Sequence, residues 1–287
     1  VERLTNIATV RELLSRHGFT FSKALGQNFL INPSVCPRMA AAAVQNDNTG
    51  VIEIGPGIGV LTNELLKLAK KVVAIELDSR LIPILDENFS DCDNLKVINA
   101  DVMELDLHEL IRAEFAGMDV VVCANLPYYI TSPIIMKLLE DKLPIKSITV
   151  MVQKEAAVRL SARPGSRDSS AITAAVSYYA DAETLFGVSA GSFMPAPKVD
   201  SAVIKLTLRE PDTTPRDEEE LFRVIKAAFA QRRKTVLNSL SSSLPLDKAE
   251  MSDILVSADV DPSARAERLT LADFVRISDE VHDRRKR

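Results

Sequence analysis

Five short β-branched runs recur between residues 51 and 152: Val51–Ile54, Val72–Ile75, Leu95–Ile98, Asp119–Cys123 and Ser147–Val152. Each is almost continuously apolar, which is how a strand covered on both faces of a parallel sheet reads. The segments between them, such as Gly59–Ala69 and Ser79–Asn88, suit helices. Strand–helix–strand repetition of this kind implies an open, doubly wound α/β sheet. Such sheets bind ligands beyond the carboxyl ends of their strands. A helical lead-in over Val1–His17 precedes the sheet, and Asn32 followed by Pro33 fits a cap and first position of a second helix. After the sheet come a helix at Lys154–Leu160, a Pro164–Ser166 turn, another helical stretch, and β runs around Ala182–Val188 and Ser201–Leu208. Glu210–Asp217 is polar with two prolines and reads as a linker. Beyond it, Glu218–Val281 carries only helical periodicity, and Arg284–Arg287 reads as a frayed tail. The expected organisation is an α/β domain over residues 1–209 and a smaller all-helical domain over residues 210–287.

A chain of 287 residues buries enough surface to need no disulfide or metal staple. Its 46% hydrophobic and 26% charged content excludes a disordered or fibrous protein. No apolar run reaches the ~18–20 residues of a membrane span, and the charged N-terminal segment lacks a signal peptide's apolar core. Cys36, Cys92 and Cys123 are scattered, without metal-ligand spacing. A reducing cytoplasm, no metal and a monomer are expected. The net charge of −5 argues mildly against a nucleic-acid partner, although the placement of charge matters more than its sum.

Chemistry concentrates at the ends of the expected strands. Glu53-Ile54-Gly55-Pro56-Gly57-Ile58-Gly59 follows a strand and opens a helix, where glycines permit a sharp turn and close approach of a ligand. The third glycine falls one residue early for a dinucleotide site, and a plain strand–helix turn is the alternative. Glu76 lies 21 residues after Gly55, where a carboxylate can accept from both ribose hydroxyls of a nucleoside; a merely solvated acid is the alternative. Asp101 occupies the matching place after the third strand and can accept from an adenine exocyclic amine. Asn125-Leu126-Pro127-Tyr128 follows the fourth strand. The Asn125 side-chain carbonyl and the Leu126 main-chain carbonyl can together accept both hydrogens of an adenine N6. That favours a tetrahedral nitrogen and the positive charge that develops during alkyl transfer. Pro127 holds Leu126 extended, and Tyr128 offers a face to a flipped base. An Asn-Pro turn with a core tyrosine is the alternative. His17, His108 and His282 lie far in sequence from these motifs.

With these segments the sequence resembles the S-adenosylmethionine-dependent ribosomal RNA adenine N6-methyltransferases, nearest the bacterial branch that dimethylates adenines of small-subunit rRNA. The resemblance runs from about Lys23 to about Phe274 and includes Gly26–Leu30, Glu53–Gly59, Ile75–Asp78, Asn125–Tyr129, Gln153–Glu155 and Ser192–Ala202. It implies a Rossmann-like methyltransferase domain and a helical rRNA-binding domain. It implies S-adenosylmethionine as methyl donor, S-adenosylhomocysteine as product, the small ribosomal subunit as partner, and two adjacent adenosines near the 3′ end of its rRNA as target. By resemblance, Asn28 and Leu30 form a lid over the methionine part of the cofactor. Gly55 lies under it, Glu76 holds its ribose, Asp101 its adenine, and Asn125 meets both cofactor and target amine. Tyr128 and Phe193 match the aromatics that clamp the target adenine; from its surroundings alone Phe193 reads as a buried aromatic, though the neighbouring Pro195 and Pro197 make exposure plausible. The sequence departs from the family after Pro164–Ser166, where Asp168-Ser169-Ser170 stands in place of Asp-Tyr-Gly.

Residues 209–287 carry 15 Lys and Arg against 16 Asp and Glu, so the helical part is not basic as a whole. If Leu221–Leu240 forms one helix, Arg223, Lys226, Arg233 and Lys234 fall on one side and Leu221, Ile225, Ala228, Phe229 and Val236 on another. Arg232 falls off the basic face. These five cations are candidates for rRNA phosphates, against the alternative of a solvated face. Two other functions fit the same scaffold: methylation of a large-subunit adenine, where relatives tend to carry Ile in place of Leu126, and a ribosome-assembly or RNA-binding role.

Overall fold

The computed structural model describes residues 2–22 and 26–286. The chain forms two compact units, Val1–Ala157 with Glu183–Leu208, and Val158–Ala182 with Arg209–Arg287. Residues 158–182, read from sequence as part of the α/β domain, thus group with the C-terminal helices.

The first unit begins with α1 (Glu2–Thr5), α2 (Ile7–Arg16), β1 (Phe29–Leu30) and α3 (Val35–Ala43). It continues through β2 (Thr49–Ile54), α4 (Val60–Leu65), β3 (Lys71–Glu76), α5 (Ile82–Phe89), β4 (Leu95–Asn99), α6 (Leu107–Glu114), β5 (Asp119–Asn125), α7 (Thr131–Glu140) and β6 (Ser147–Gln153). The chain then forms α8 (Lys154–Ser161), α9 (Ala171–Tyr179) and β7 (Ala180–Val188), and returns with β8 (Phe193–Met194) and β9 (Ser201–Leu208). The seven-stranded sheet has the order β4-β3-β2-β5-β6-β9-β7. Strands β2 to β6 pair in parallel, while β9 runs antiparallel to β6. All five runs predicted as parallel strands are there. β2 and β6 are buried almost throughout, as their unbroken apolar runs require.

The register aligns the chemistry. Ile54 lies beside Ile75 and Ala124, Glu76 beside Asn99, and Asn125 beside Met151. The carboxyl ends of β2, β3 and β5 therefore open on one edge, with the Gly-rich turn, Glu76 and Asn125 side by side. A second, two-stranded sheet pairs β1 with β8 antiparallel, Leu30 facing Phe193.

Local chemistry corrects some boundaries. The helix expected over Gly59–Ala69 ends at Leu65 and unwinds into turns. Asn32 does not cap α3. Its Oδ1 accepts from the amide and hydroxyl of Ser34, and the helix starts at Val35; a short polar side chain bonding two residues ahead offers the backbone a turn instead of a helix.

The second unit contains α9 with α10 (Glu218–Phe229), α11 (Val236–Ser243), α12 (Lys248–Ser257) and α13 (Leu271–Arg285). Leu221, Val224, Met251, Ile254, Phe274 and Ile277 are fully buried in it. Tyr179 stacks on Phe222 at 5.4 Å, and its hydroxyl donates to Glu218. The expectation of one helix over Leu221–Leu240 fails. α10 stops at Phe229 and α11 starts at Val236, where Thr235 caps it by accepting from the Asn238 amide. The expected frayed tail is helical through Arg285, whose guanidinium donates to buried Glu220 at 3.0 Å. Where the sequence departs from the resembled family, Ser170 and Thr173 form a reciprocal capping box that starts α9.

Candidate active site

One cavity in the first unit is lined by every residue singled out for catalysis and cofactor binding: Asn28, Leu30, Gly55, Glu76, Asp101, Asn125, Leu126, Pro127, Tyr128 and Phe193. They come from separate stretches of chain, brought together by the strand ends and the β1–β8 ribbon.

The glycines of the first turn differ in their physical reasons. Gly55 has φ +69°, and a Cβ there would meet no atom within 4 Å; backbone conformation, with open cavity above it, demands glycine. Gly59 also has positive φ, but a Cβ there would lie 2.2 Å from the Phe89 ring, so helix α5 packs where a side chain would stand.

Glu76 is 6% exposed. Its Oε2 accepts from the Gly57 amide at 3.1 Å and its Oε1 from the Asp78 amide at 2.8 Å. One carboxylate thus fixes two loops, and each oxygen, on a residue that lines the cavity, retains accepting capacity. Burial raises its pKa against the pull of these amides. Asp101 Oδ1 accepts from the Met103 amide at 2.8 Å, shaping the turn after β4. Among the described residues neither the Asn125 side chain nor the Leu126 carbonyl carries a hydrogen bond. By contrast, the Pro127 carbonyl is taken by the Ile130 amide and the Thr131 hydroxyl. The Asn-Leu-Pro-Tyr turn is therefore held by its third residue, while two acceptors of its first two remain available.

Tyr128 is half-buried, its hydroxyl 2.6 Å from Ser201 Oγ, and burial raises its pKa. Phe193 lines the cavity but is 4% exposed, so the exposure its proline-rich neighbourhood made plausible is absent. The reason is its pairing with Leu30, reinforced where Ile31 N–H donates to the Ser192 carbonyl and Asn32 Nδ2 to Ser192 Oγ.

Sequence reasoning missed two contributors. Glu53 interrupts the apolar β2 run one residue before its end, is 1% exposed, lines the cavity, and has an Oε2 with no hydrogen-bond partner. Burial, with the charge of Glu76 acting in the same direction, pushes its pKa up to about 8. A lone acid interrupting a buried strand (Val-Ile-Glu-Ile) was the available signal. Gln27 donates to Asp78 Oδ2 at 2.7 Å. Asp78 is also gripped by Arg80, whose hydrogen bonds hold its carboxyl below the usual range. That ties the segment before β1 to the loop after β3; nothing local in sequence marks a bond spanning 51 residues.

The cavity's charge narrows its ligand. Glu53, Glu76 and Asp101 line it, and among the described residues no Lys, Arg or His does. An acidic, cation-free wall repels phosphate groups and favours a ligand bearing positive charge. His17 is paired with Glu87, His108 with the Asp141 carbonyl and His282 with Asp217, and none of the three is among the residues that line the cavity. Among the described residues no group of three or more His, Cys, Asp or Glu could hold a metal ion, and no helix is long and apolar enough to cross a membrane.

The candidate phosphate-binding cations lie in the second unit. Arg223 and Lys226 are exposed on α10, and Arg232, Arg233 and Lys234 are exposed in the turn before α11. The helix break explains why Arg232 did not fit a common face. Arg223 is engaged with Glu220 at 3.1 Å.

A doubly wound sheet, an acidic cavity at its strand ends and an Asn-Leu-Pro-Tyr turn at the cavity's edge define a Rossmann-like methyltransferase. The chain belongs to the ribosomal RNA adenine dimethylase family, whose model matches residues 18–283. It is 49% identical over 273 residues to the ribosomal RNA small subunit methyltransferase A of Geobacillus sp. (strain WCH70), covering 93% of this chain and 94% of that one. It is 50% identical to the protein of the same name from Geobacillus thermodenitrificans, covering 93% of each. Among solved structures it resembles a dimethyladenosine transferase from Plasmodium falciparum, with TM-score 0.69 and 30% identity over 87% of this chain and 95% of that one. It also resembles the 23S rRNA methyltransferase ErmE, with TM-score 0.66 and 27% identity over 89% of this chain and all of that one.

Proposed function

We propose that this chain methylates N6 of two adjacent adenosines near the 3′ end of small-subunit rRNA, giving N6,N6-dimethyladenosines, with S-adenosylmethionine as donor. The observation that carries the reading is the pair of free acceptors, Asn125 and Leu126, at the edge of a phosphate-excluding nucleoside cavity. The near-50% identity to proteins named small subunit methyltransferase A supports the choice of subunit.

The cavity fits the cofactor on two counts: Glu53 Oε2 is buried without a partner, and the space above Gly55 is open. Bound there, S-adenosylmethionine supplies an activated methyl on a sulfonium. Glu76 would accept from the ribose hydroxyls, Asp101 from the adenine amine, and Glu53, its pKa raised by burial in the empty site, would ionise against the sulfonium's positive charge; Asn28 and Leu30 would cover the methionine end.

Asn125 Oδ1 and the Leu126 carbonyl would hold the two hydrogens of the target N6, aiming its lone pair out of the ring plane and stabilising the charge that develops on nitrogen. Tyr128, fixed by Ser201, would stack on the flipped base, and Phe193 would bound its other side. No strong base is needed, because an alkylated ammonium loses its proton readily. Exposed Arg232, Arg233 and Lys234, with Lys226 and Arg223, would contact rRNA phosphates by shape rather than sequence. This reading implies a cytoplasmic, monomeric enzyme without a metal.

The test is transfer of labelled methyl to small subunits lacking native adenine methylation, with large subunits in parallel. About four methyls per small subunit, on two neighbouring adenines, supports the reading. Transfer to the large subunit, or cofactor binding with no transfer to either, overturns it in favour of a large-subunit enzyme or an assembly factor.

A further inference from the structure

Two tyrosines follow Pro127, and they diverge. Tyr128 is half-buried and tied to Ser201 at the start of β9. Tyr129 is 56% exposed, yet lines the same cavity. Its ring lies along Gly26: a Cβ built on that glycine would stand 3.4 Å from Tyr129 Cδ1, 3.6 Å from Cε1 and 3.7 Å from Pro127 Cβ. Among the described residues its hydroxyl has no hydrogen-bond partner and its ring no aromatic neighbour. A large aromatic thus lines the cavity beside the Gly26 main chain with more than half of its surface open to solvent.

The geometry points to Tyr129 as the stacking platform for the nucleobase next to the target adenine. This rests on the function proposed above. Drawing one adenine into the cavity strips its neighbour of a stacking partner, at a cost of about a few kcal/mol per step. An exposed aromatic face beside the entrance offsets that loss, and does so for any base, because each has a π-face. Tyr128 and Tyr129 are adjacent in the chain but are seated against different parts of the fold, Tyr128 at Ser201 and Tyr129 at Gly26. Two neighbouring bases of one strand can therefore be parted, one inside and one outside. Lys198, and Lys154 whose amide bonds the Asp200 carbonyl, are exposed near Ser201 and have no ion-pair partner among the described residues. They supply cations for the backbone on the Tyr128 side.

The experiment compares wild-type, Tyr129→Phe and Tyr129→Leu enzymes on undermethylated small subunits, measuring kcat, KM for subunits and KM for the cofactor. Stacking requires a ring, not a phenol. Tyr129→Phe should match wild type, while Tyr129→Leu should raise the subunit KM roughly tenfold or more and leave the cofactor KM unchanged. A leucine variant equal to wild type overturns the inference while leaving the methyltransferase reading intact. A leucine variant that weakens cofactor binding as much as subunit binding also overturns it, by making the ring a packing element against Gly26. Absence of transfer by the wild-type enzyme overturns the methyltransferase reading, and the inference with it.

Discussion

Leu30 and Phe193 are direct partners across the antiparallel β1–β8 ribbon, and both line the cavity. Under the proposed function, the cover on the cofactor side and the aromatic wall on the target side would be one ladder. Leu30→Ala removes a side chain 3% exposed, costing about 2–5 kcal/mol of stability. It should weaken cofactor and RNA binding together. Calorimetric cofactor titration beside subunit KM checks this; a defect in only one would mean that the ribbon does not couple the two.

Glu76 holds its two loops through both carboxylate oxygens. In Glu76→Gln one oxygen becomes an NH2 facing either the Gly57 or the Asp78 amide, so a donor meets a donor. Loss of a hydrogen bond to a charged group is worth about 1.5–3 kcal/mol, so cofactor affinity should fall roughly 10- to 100-fold while the far-ultraviolet circular dichroism stays native. Unchanged affinity would remove Glu76 from the cofactor site.

The parallel sheet was legible because five apolar runs, Val51–Ile54 among them, are too short and too continuous for anything else. The strand-end acids and the Asn125 turn followed from counting residues beyond those runs. What stayed hidden depends on pairings distant in sequence. Gln27–Asp78 and the β1–β8 ribbon bring together residues that no local pattern links. Asn32 looked like a helix cap because its alternative, an Asx turn onto Ser34, uses the same side chain. The α10–α11 break was visible only as the misfit of Arg232, since Gln231–Lys234 contains neither Gly nor Pro.

Glu53 makes stability depend on pH. Its folded pKa of about 8 lies above the ordinary carboxylate value of 4.5, chiefly through burial. Between those values the folded state binds more protons than the unfolded state, so this group lowers stability as pH rises through that window. The penalty is absent below 4.5, grows to about pH 8 and levels off above it. Glu53→Gln removes it. The ligand-free variant should be more stable than wild type at about pH 8.5, by on the order of a few kcal/mol, and the difference should shrink at about pH 5.5. Melting curves of the two proteins that stay parallel across this range would show that Glu53 is not buried as a lone acid.

Asn125 offers an unpaired side-chain carbonyl where the target amine would sit. Asn125→Ala should lower kcat at least ~100-fold, the usual cost of deleting one preorganised charge-stabilising group, without changing the melting temperature by more than about a degree or two. Single-turnover methyl transfer at saturating subunits isolates the step. A variant with full activity would shift the acceptor role wholly to the Leu126 carbonyl.

Three of the candidate phosphate-binding cations should separate into two behaviours. Arg233 and Lys234 are exposed in the turn after α10 and have no ion-pair partner among the described residues, so nothing in the fold uses them. Reversing both charges should weaken subunit binding and reduce the slope of log affinity against log salt by roughly 0.7–0.9 for each phosphate no longer neutralised, with no change in melting. Arg223 instead shares Glu220 Oε2 with Arg285, and Glu220 is 3% exposed. Reversing Arg223 sets a like charge beside a buried carboxylate, so its main effect should be a lower melting temperature. Filter binding across a salt series, run with thermal melts on the same variants, distinguishes the two. Equal salt slopes for wild type and the Arg233/Lys234 double reversal would remove this turn from the RNA interface.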